Sequence, residues 1–150
     1  LKVDKKEFNL FAASEADLFI TEAGGGSWLA GINNIPTLGI NVFPMVTAYP
    51  KATLYFKNIV GINSSILSIR ELFETYLYSY EFTNYEIKSN SAEEIKAAVI
   101  DFLVNGMENQ PYGIPLQEAV PGLDDNWSTY ANSRLSPIWI ENMTTRKIGV

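Results

Sequence analysis

Short apolar runs punctuated by glycine, proline and asparagine alternate along this chain with stretches whose apolar residues recur every three or four positions. That alternation predicts strands followed by helices, and hence an α/β fold around a largely parallel sheet. Leu18, Phe19 and Ile20 form a brief run that stops at Thr21 and meets Glu22-Ala23-Gly24-Gly25-Gly26-Ser27 at once. A run this short before glycines favours a buried strand over a helix. Trp28 to Ile32 reads as a short helix with Ser27 as its N-cap, since a hydroxyl there can accept one of the first N–H groups, which have no partner inside the helix. Asn33-Asn34 ends it, Pro36 forbids continuation, and Thr37-Leu38-Gly39-Ile40-Asn41-Val42-Phe43 resumes strand character until Pro44. Asp17 to Pro44 is therefore predicted to be a strand, loop, helix, strand unit with its strands parallel.

The flanks follow the same rhythm. Lys5 to Ala16 predicts a helix with Phe8, Phe11 and Leu10 on one face, packed just before the first strand, its charges being a solvated face. Thr53 to Val60 alternates loosely and reads as a strand or extended segment, and Ile69 to Tyr80 as a helix with Leu72, Phe73, Tyr76 and Leu77 inward. The run of Tyr76, Tyr78, Tyr80, Phe82 and Tyr85 is open to a reading as an aromatic binding surface, but core and domain-contact material is the expected one, since aromatic stripes usually are. Tyr85-Glu86-Ile87-Lys88 alternates like a strand, and Ser91-Ala92-Glu93-Glu94 is a capping box in which Ser91 and Glu94 satisfy each other's free donors. The helix from Ile95 to Val104 should turn Ile95, Val99, Phe102 and Leu103 inward and stop near Asn105-Gly106. From Gln110 the texture changes: Pro111, Gly113, Pro115, Pro121 and Gly122 break the chain into turns. Leu123 to Arg134 predicts a short helix, and Ser136-Pro137-Ile138-Trp139-Ile140 starts another with proline at a tolerated first-turn position. The division is a body over residues 1–108 and a tail over residues 109–150 whose short helices pack on it.

Composition narrows the chemistry. The 150 residues, 47% of them hydrophobic and 19% charged, suffice for one domain with a real core. A net charge of −6 without a basic stripe argues against a general affinity for nucleic acid. The chain has no cysteine and no histidine, so disulfides, thiolate chemistry, the usual general base and the usual transition-metal ligand are all missing. No apolar run approaches the roughly 20 residues of a membrane span, and no signal-peptide pattern opens the chain. A chain that opens on Leu1 is expected to be a piece of something longer. Glu93 and Glu94 are explained by the helix dipole, and Asp124-Asp125 has no neighbouring carboxylates at ligand spacing, so no metal site is expected. The Asn-X-Ser/Thr triplets at Asn63, Asn126 and Asn142 matter only in a secreted eukaryotic protein, which nothing else indicates.

The glycine loop carries the candidate chemistry. Successive glycines let the backbone take positive φ and let a ligand approach closely, and the loop opens a helix at the carboxyl end of a strand, where ligands of open α/β sheets collect. GGGS matches neither GxGxxG nor GxxxxGK[ST], so a plain tight turn is the competing reading.

The segment ADLFITEAGGGSWLAGINNIPTLGINVFP resembles the C-terminal half of two-domain GT-B glycosyltransferases, where a strand, small-residue loop, helix and "xxPxLxxN" strand recur. More narrowly it is similar to a family of bacterial proteins assigned as glycosyltransferases. That family continues with a proline loop after an asparagine (Asn41 to Pro44) and a lysine-bearing segment (TLYFKN, with Lys57). A strand and capped helix follow (YEIKSNSAEEI), and a Leu-Ser-Pro element closes it (RLSPIWIENM). The resemblance implies a Rossmann-like parallel sheet with flanking helices, residues 1–108 being the donor-binding part. It implies transfer of a sugar from a nucleotide-sugar donor to a cell-surface glycan or similar acceptor. The acceptor would be gripped by an N-terminal domain of the same parent chain. It implies a cytoplasmic protein, compatible with peripheral association at the inner face of the membrane. Backbone N–H groups at Gly24, Gly25, Gly26 and Ser27 would hold the diphosphate without a metal, so neither a metal nor another cofactor is expected. Lys57 would add a point charge, Asn41 would hydrogen-bond sugar or base, and Glu22 would accept from sugar hydroxyls. The structural alternatives are a solvated Lys57, an Asn41 that caps the following turn and a Glu22 that merely borders the loop. No catalytic base is evident. A nucleotide-sugar epimerase shares the architecture but calls for histidine, and a non-catalytic α/β ligand-binding module remains a third reading.

Overall fold

The structure, a computed structural model, describes residues 4–22, 26–43, 49–61, 67–76, 85–123 and 132–145. In chain order its strands are Phe19–Thr21 (β1), Thr37–Val42 (β2), Thr53–Phe56 (β3), Asn58–Gly61 (β4), Tyr85–Lys88 (β5) and Arg134–Leu135 (β6). Its helices are Lys5–Glu15 (α1), Gly26–Ile32 (α2), Ile69–Tyr76 (α3), Ala92–Asp101 (α4), Leu116–Ala119 (α5) and Pro137–Thr145 (α6), with a π-helical turn over Phe102–Gly106 continuing α4. Four strands make a parallel sheet in the order β1-β2-β3-β6, and β4 pairs antiparallel with β5 in a second, two-stranded sheet. The fold is α/β with a parallel sheet flanked by helices, consistent with the Rossmann-like class.

The strand, helix, strand order is present with its strands parallel, Phe19 opposite Thr37 and Thr21 opposite Gly39, and residues 23–25 of the intervening loop lie outside the described residues. Asn34 closes α2 in the left-handed region at φ 56; its N–H donates to the Gly31 carbonyl at 3.2 Å and the Ile35 N–H to the Ala30 carbonyl at 2.9 Å. That pair of bonds is the Schellman closure, with asparagine in the position glycine usually fills. α2 starts two residues earlier than the sequence suggests. Gly26 is already helical, so Ser27 lies in the first turn, fully buried, instead of capping it.

The extended segment over Thr53 to Val60 divides at Lys57. Up to Phe56 it is β3, every residue buried as a central parallel strand requires; from Asn58 it is β4 in the other sheet. The capping box is formed, Ser91 Oγ accepting the Glu94 N–H at 3.2 Å and Glu94 Oε2 accepting the Ser91 N–H at 2.7 Å. Pro137 opens α6 in its first turn, with Ser136 Oγ accepting the Trp139 N–H.

Some faces turn the other way. Phe8, Leu10 and Phe11 of α1 are more than half exposed, and Ala13 is the buried residue. α1 approaches α2 through its small side: Ala12, Ala13 and Ala16 line a cavity with Phe19, Gly26 and Leu29, so the aromatics face outward. In α4 the buried residue is Ala98 and in the π turn that continues it Phe102, while Leu103 of that turn is 48% exposed. The π turn absorbs an extra residue after Asp101 and so rotates Leu103 off the inward face. Arg134 belongs to β6, not to a helix, and residues 124–131 lie outside the described residues together with Asp124, Asp125 and Asn126. Asn63, the Tyr76 side chain, Leu77, Tyr78, Tyr80 and Phe82 are also outside them, whereas Leu72 and Phe73 of α3 are buried. The core joins β3, α3 and α6 through Phe56, Phe73 and Trp139, with ring centroids 5.3 Å apart for Phe56 and Trp139 and 5.6 Å for Phe56 and Phe73.

Candidate functional site

Because the sheet is parallel, residues that follow its strands share one edge. Glu22 follows β1, Asn41 and Val42 end β2, Lys57 follows β3 and Ser136 follows β6. Carboxyl edges of this kind are where open α/β sheets bind ligands. Here the edge is locally reshaped. Gly39 pairs with Leu54 and Val42 with Phe56, so three steps along β2 match two along β3, and the extra residue makes a bulge in which Asn41 takes φ 49. Bulges next to active sites re-aim side chains, and asparagine tolerates the left-handed region better than most residues.

The re-aimed amide joins three segments. Asn41 Nδ2 donates to Glu22 Oε1 at 3.0 Å, and Asn41 Oδ1 accepts the Asn90 backbone N–H at 2.7 Å. Asn90 in turn donates through Nδ2 to the Phe56 carbonyl at 3.0 Å. Asn41 and Asn90 are buried and Glu22 is exposed, so a rigid polar chain runs from the core to a carboxylate at the surface. Lys57 is half-buried; its N–H donates to the Val42 carbonyl at 3.0 Å, which sets its backbone beside the bulge, and its ammonium makes no ion pair among the described residues.

Glu22, Asn41 and Lys57 are thus gathered at one edge. Gly26 and Ser27 stand at the start of α2, and Gly24 and Gly25 lie outside the described residues. The reading of Asn41 as a turn cap gives way to a bridge between Glu22 and Asn90. The sequence does not single out Asn90 or Tyr49, although Asn90 directly precedes the capping box and Tyr49 opens a Tyr-Pro turn. Tyr49 is 2% exposed, and its ring occupies the space of a side chain at position 39: a Cβ added to Gly39 would lie 3.0 Å from Tyr49 Cε2. Two buried polar atoms of this region, Tyr49 OH and Asn90 Oδ1, have no hydrogen-bond partner among the described residues. Each such atom costs about 1–3 kcal/mol, an expense that functional sites tolerate. No group of three or more metal-ligating side chains is present among the described residues, and no described helix is long and apolar enough to cross a membrane.

Burial, and after it the charge of Glu22, push the Tyr49 phenol up to about 12. Burial and the hydrogen bonds to Asp101 push Tyr112 up to about 12 as well. A phenol whose folded pKa is raised supplies stability that is complete below pH 10 and is lost as pH climbs through 12, because the unfolded chain releases the proton first. We expect unfolding free energy to fall steeply between those values, with Tyr49 contributing at most about 3 kcal/mol. Tyr49→Phe should flatten that fall and, by removing an unpartnered hydroxyl, leave neutral-pH stability equal or higher. Denaturant melts of both proteins from pH 7 to 12 make the comparison; identical alkaline profiles would dismiss the buried phenol as their cause.

Comparison with protein families, with curated proteins and with solved structures finds no significant match for this chain.

Proposed function

We propose that this chain is the C-terminal, donor-binding part of a GT-B-type glycosyltransferase, which holds a nucleotide-sugar at the carboxyl edge of its parallel sheet for transfer to a glycan acceptor. The observation that carries the reading is the Glu22–Asn41–Asn90 chain across the ends of β1 and β2. Fold class alone hosts many activities, so the weight rests on the chemistry of that edge. With Oε1 held by Asn41, Glu22 keeps Oε2 to accept from a sugar hydroxyl. The glycine loop begins immediately after Glu22, so a diphosphate on its N–H groups would be joined to a sugar within reach of the carboxylate. Developing charge on the departing diphosphate would then be stabilised by the loop's N–H donors and by Lys57, without a metal. The acceptor and the remaining catalytic groups belong to an N-terminal half of the parent protein.

The test is calorimetric titration with a panel of nucleotide-sugars and nucleoside diphosphates, repeated on Gly26→Asp and Glu22→Gln. A Cβ at Gly26 meets nothing closer than the Phe19 ring at 3.4 Å, so Gly26→Asp is sterically accommodated, and an acid at a helix start is favourable. The expected result is saturable binding of one diphosphate series, weakened at least about tenfold, or ~1.4 kcal/mol, by Gly26→Asp. Glu22→Gln should weaken the nucleotide-sugar more than the free diphosphate. A silent panel, or binding indifferent to both changes, would refute the assignment.

A further inference from the structure

At the opposite edge of the sheet a pocket of about 190 Å³, part polar and part apolar, lies among residues that precede its strands: Pro36 before β2, Lys51 before β3 and Asn132 before β6. Asn34 from the end of α2 and Gln110 from the chain after α4 complete its polar lining. Three of these residues hold left-handed backbone although none is glycine: Asn34 at φ 56, Lys51 at φ 56 and Asn132 at φ 53. Asn34 is explained by the closure of α2, and asparagine visits this region readily.

Lys51 is different. The Ala52 N–H donates to the Tyr49 carbonyl at 3.2 Å across Pro50 and Lys51, and proline followed by a positive φ is the type II turn, whose third position normally belongs to glycine. A lysine in that slot carries backbone strain that glycine would avoid, and an outlier of this kind points to a use for the side chain. Its position is fixed from below, because α2 presses on the turn so closely that a Cβ at Gly31 would come within 2.4 Å of Pro50 Cβ. The Lys51 ammonium donates to Asn34 Oδ1, a neutral acceptor, and no carboxylate of the described residues lines the pocket. Among the described residues a full positive charge therefore stands without a carboxylate partner over a concave surface of mixed polar and apolar lining, in a chain of net charge −6. With Asn34 Oδ1 occupied, its amide N–H groups remain as donors. The Asn132 amide makes no hydrogen bond among the described residues.

We propose that this pocket is a binding site for a small oxyanion, a phosphate or a carboxylate group, with Lys51 supplying the charge and the Asn34 and Asn132 amides the hydrogen bonds. Charge-assisted bonds to such groups are the strong ones, and lysine meets them as a point charge. The volume admits one such group with some water, and falls below the roughly 300 Å³ at which pockets for larger ligands begin. The site is therefore separate from the one proposed for a nucleotide-sugar, and its ligand is a free anion or a small phosphorylated or carboxylated molecule.

Titration of the whole chain with inorganic phosphate, and separately with acetate, followed by amide NMR shifts at constant ionic strength, tests the site. Saturable shifts at Asn34, Lys51 and Asn132 are expected, and which anion produces them distinguishes the two chemistries. Lys51→Gly should weaken that binding at least tenfold while raising Tm by roughly 2–4 °C through relief of the left-handed strain, so that misfolding cannot account for the loss. Asn132→Ala should weaken it to a lesser degree, and Glu22→Gln should leave it unchanged. Shifts that stay linear and nonspecific with both anions, or a Lys51→Gly protein that binds as tightly as its parent, would overturn the proposal.

Discussion

Replacing Trp139 with alanine is expected to lower the unfolding free energy by about 3–5 kcal/mol, the range for removing a large aromatic side chain from a packed interior. Trp139 is 1% exposed and meets Phe56 of β3 at 5.3 Å and Phe73 of α3 at 6.5 Å between ring centroids. These three rings are the means by which α3 and α6 hold to the last central strand, so the cavity would open where three elements meet. At roughly 2–4 °C per kcal/mol for a chain of this length, Tm should drop by on the order of 10 °C or more. Trp139→Phe offers a contrast. It retains a ring for Phe56 and Phe73 and removes Trp139 Nε1, a buried donor with no partner among the described residues, so its loss should be clearly smaller. A Trp139→Ala melt within about 1 kcal/mol of the parent would mean that the aromatic cluster is not what secures α6.

Features set by local chemistry are legible in the sequence. The glycine-flanked strand pair, the left-handed asparagine that closes α2, the Ser91 and Glu94 box and Pro137 in the first turn of α6 each depend on a few contiguous residues. Features set by distant partners are not. β6 has only two residues, Arg134 and Leu135, and is a strand because it pairs with Thr53 and Leu54, not because of any pattern of its own. The break at Lys57 has no glycine or proline to mark it; the chain changes sheets because β5 offers β4 an antiparallel partner. Outward aromatics on α1 obey the same period as inward ones, and only the alanine-lined approach of α2 decides between them. Three of the predicted site residues do meet at one edge, since a parallel sheet brings the ends of its strands together. Asn90 and Tyr49 join them from elsewhere in the chain: the Asn41 amide reaches Glu22 across 19 residues and Asn90 across 49.

That convergence makes Asn41 the position where stability and function should fail together. Asn41→Val places a β-branched residue at φ 49, which costs about 1–2 kcal/mol, and deprives the buried Asn90 N–H of its acceptor, which costs about 1–3 kcal/mol. Its unfolding free energy should therefore fall by roughly 2–5 kcal/mol, the sum of those two losses. Asn41→Gly takes the same backbone without strain and loses only the amide's bonds, so the difference between the two variants isolates the cost of the left-handed bulge. Asn41→Asp keeps an acceptor for the Asn90 N–H but sets a second carboxylate against Glu22 Oε1, where the amide now donates at 3.0 Å. Repulsion should destabilise that variant at neutral pH and release Glu22 from its fixed orientation, and acidification should restore the fold as the pair is protonated. Under the proposed donor reading all three variants should lose nucleotide-sugar affinity, Asn41→Asp without the backbone strain that complicates Asn41→Val. An Asn41→Asp protein that binds the donor as well as its parent would show that the bridging amide does not orient Glu22, and the donor reading would lose the observation that carries it.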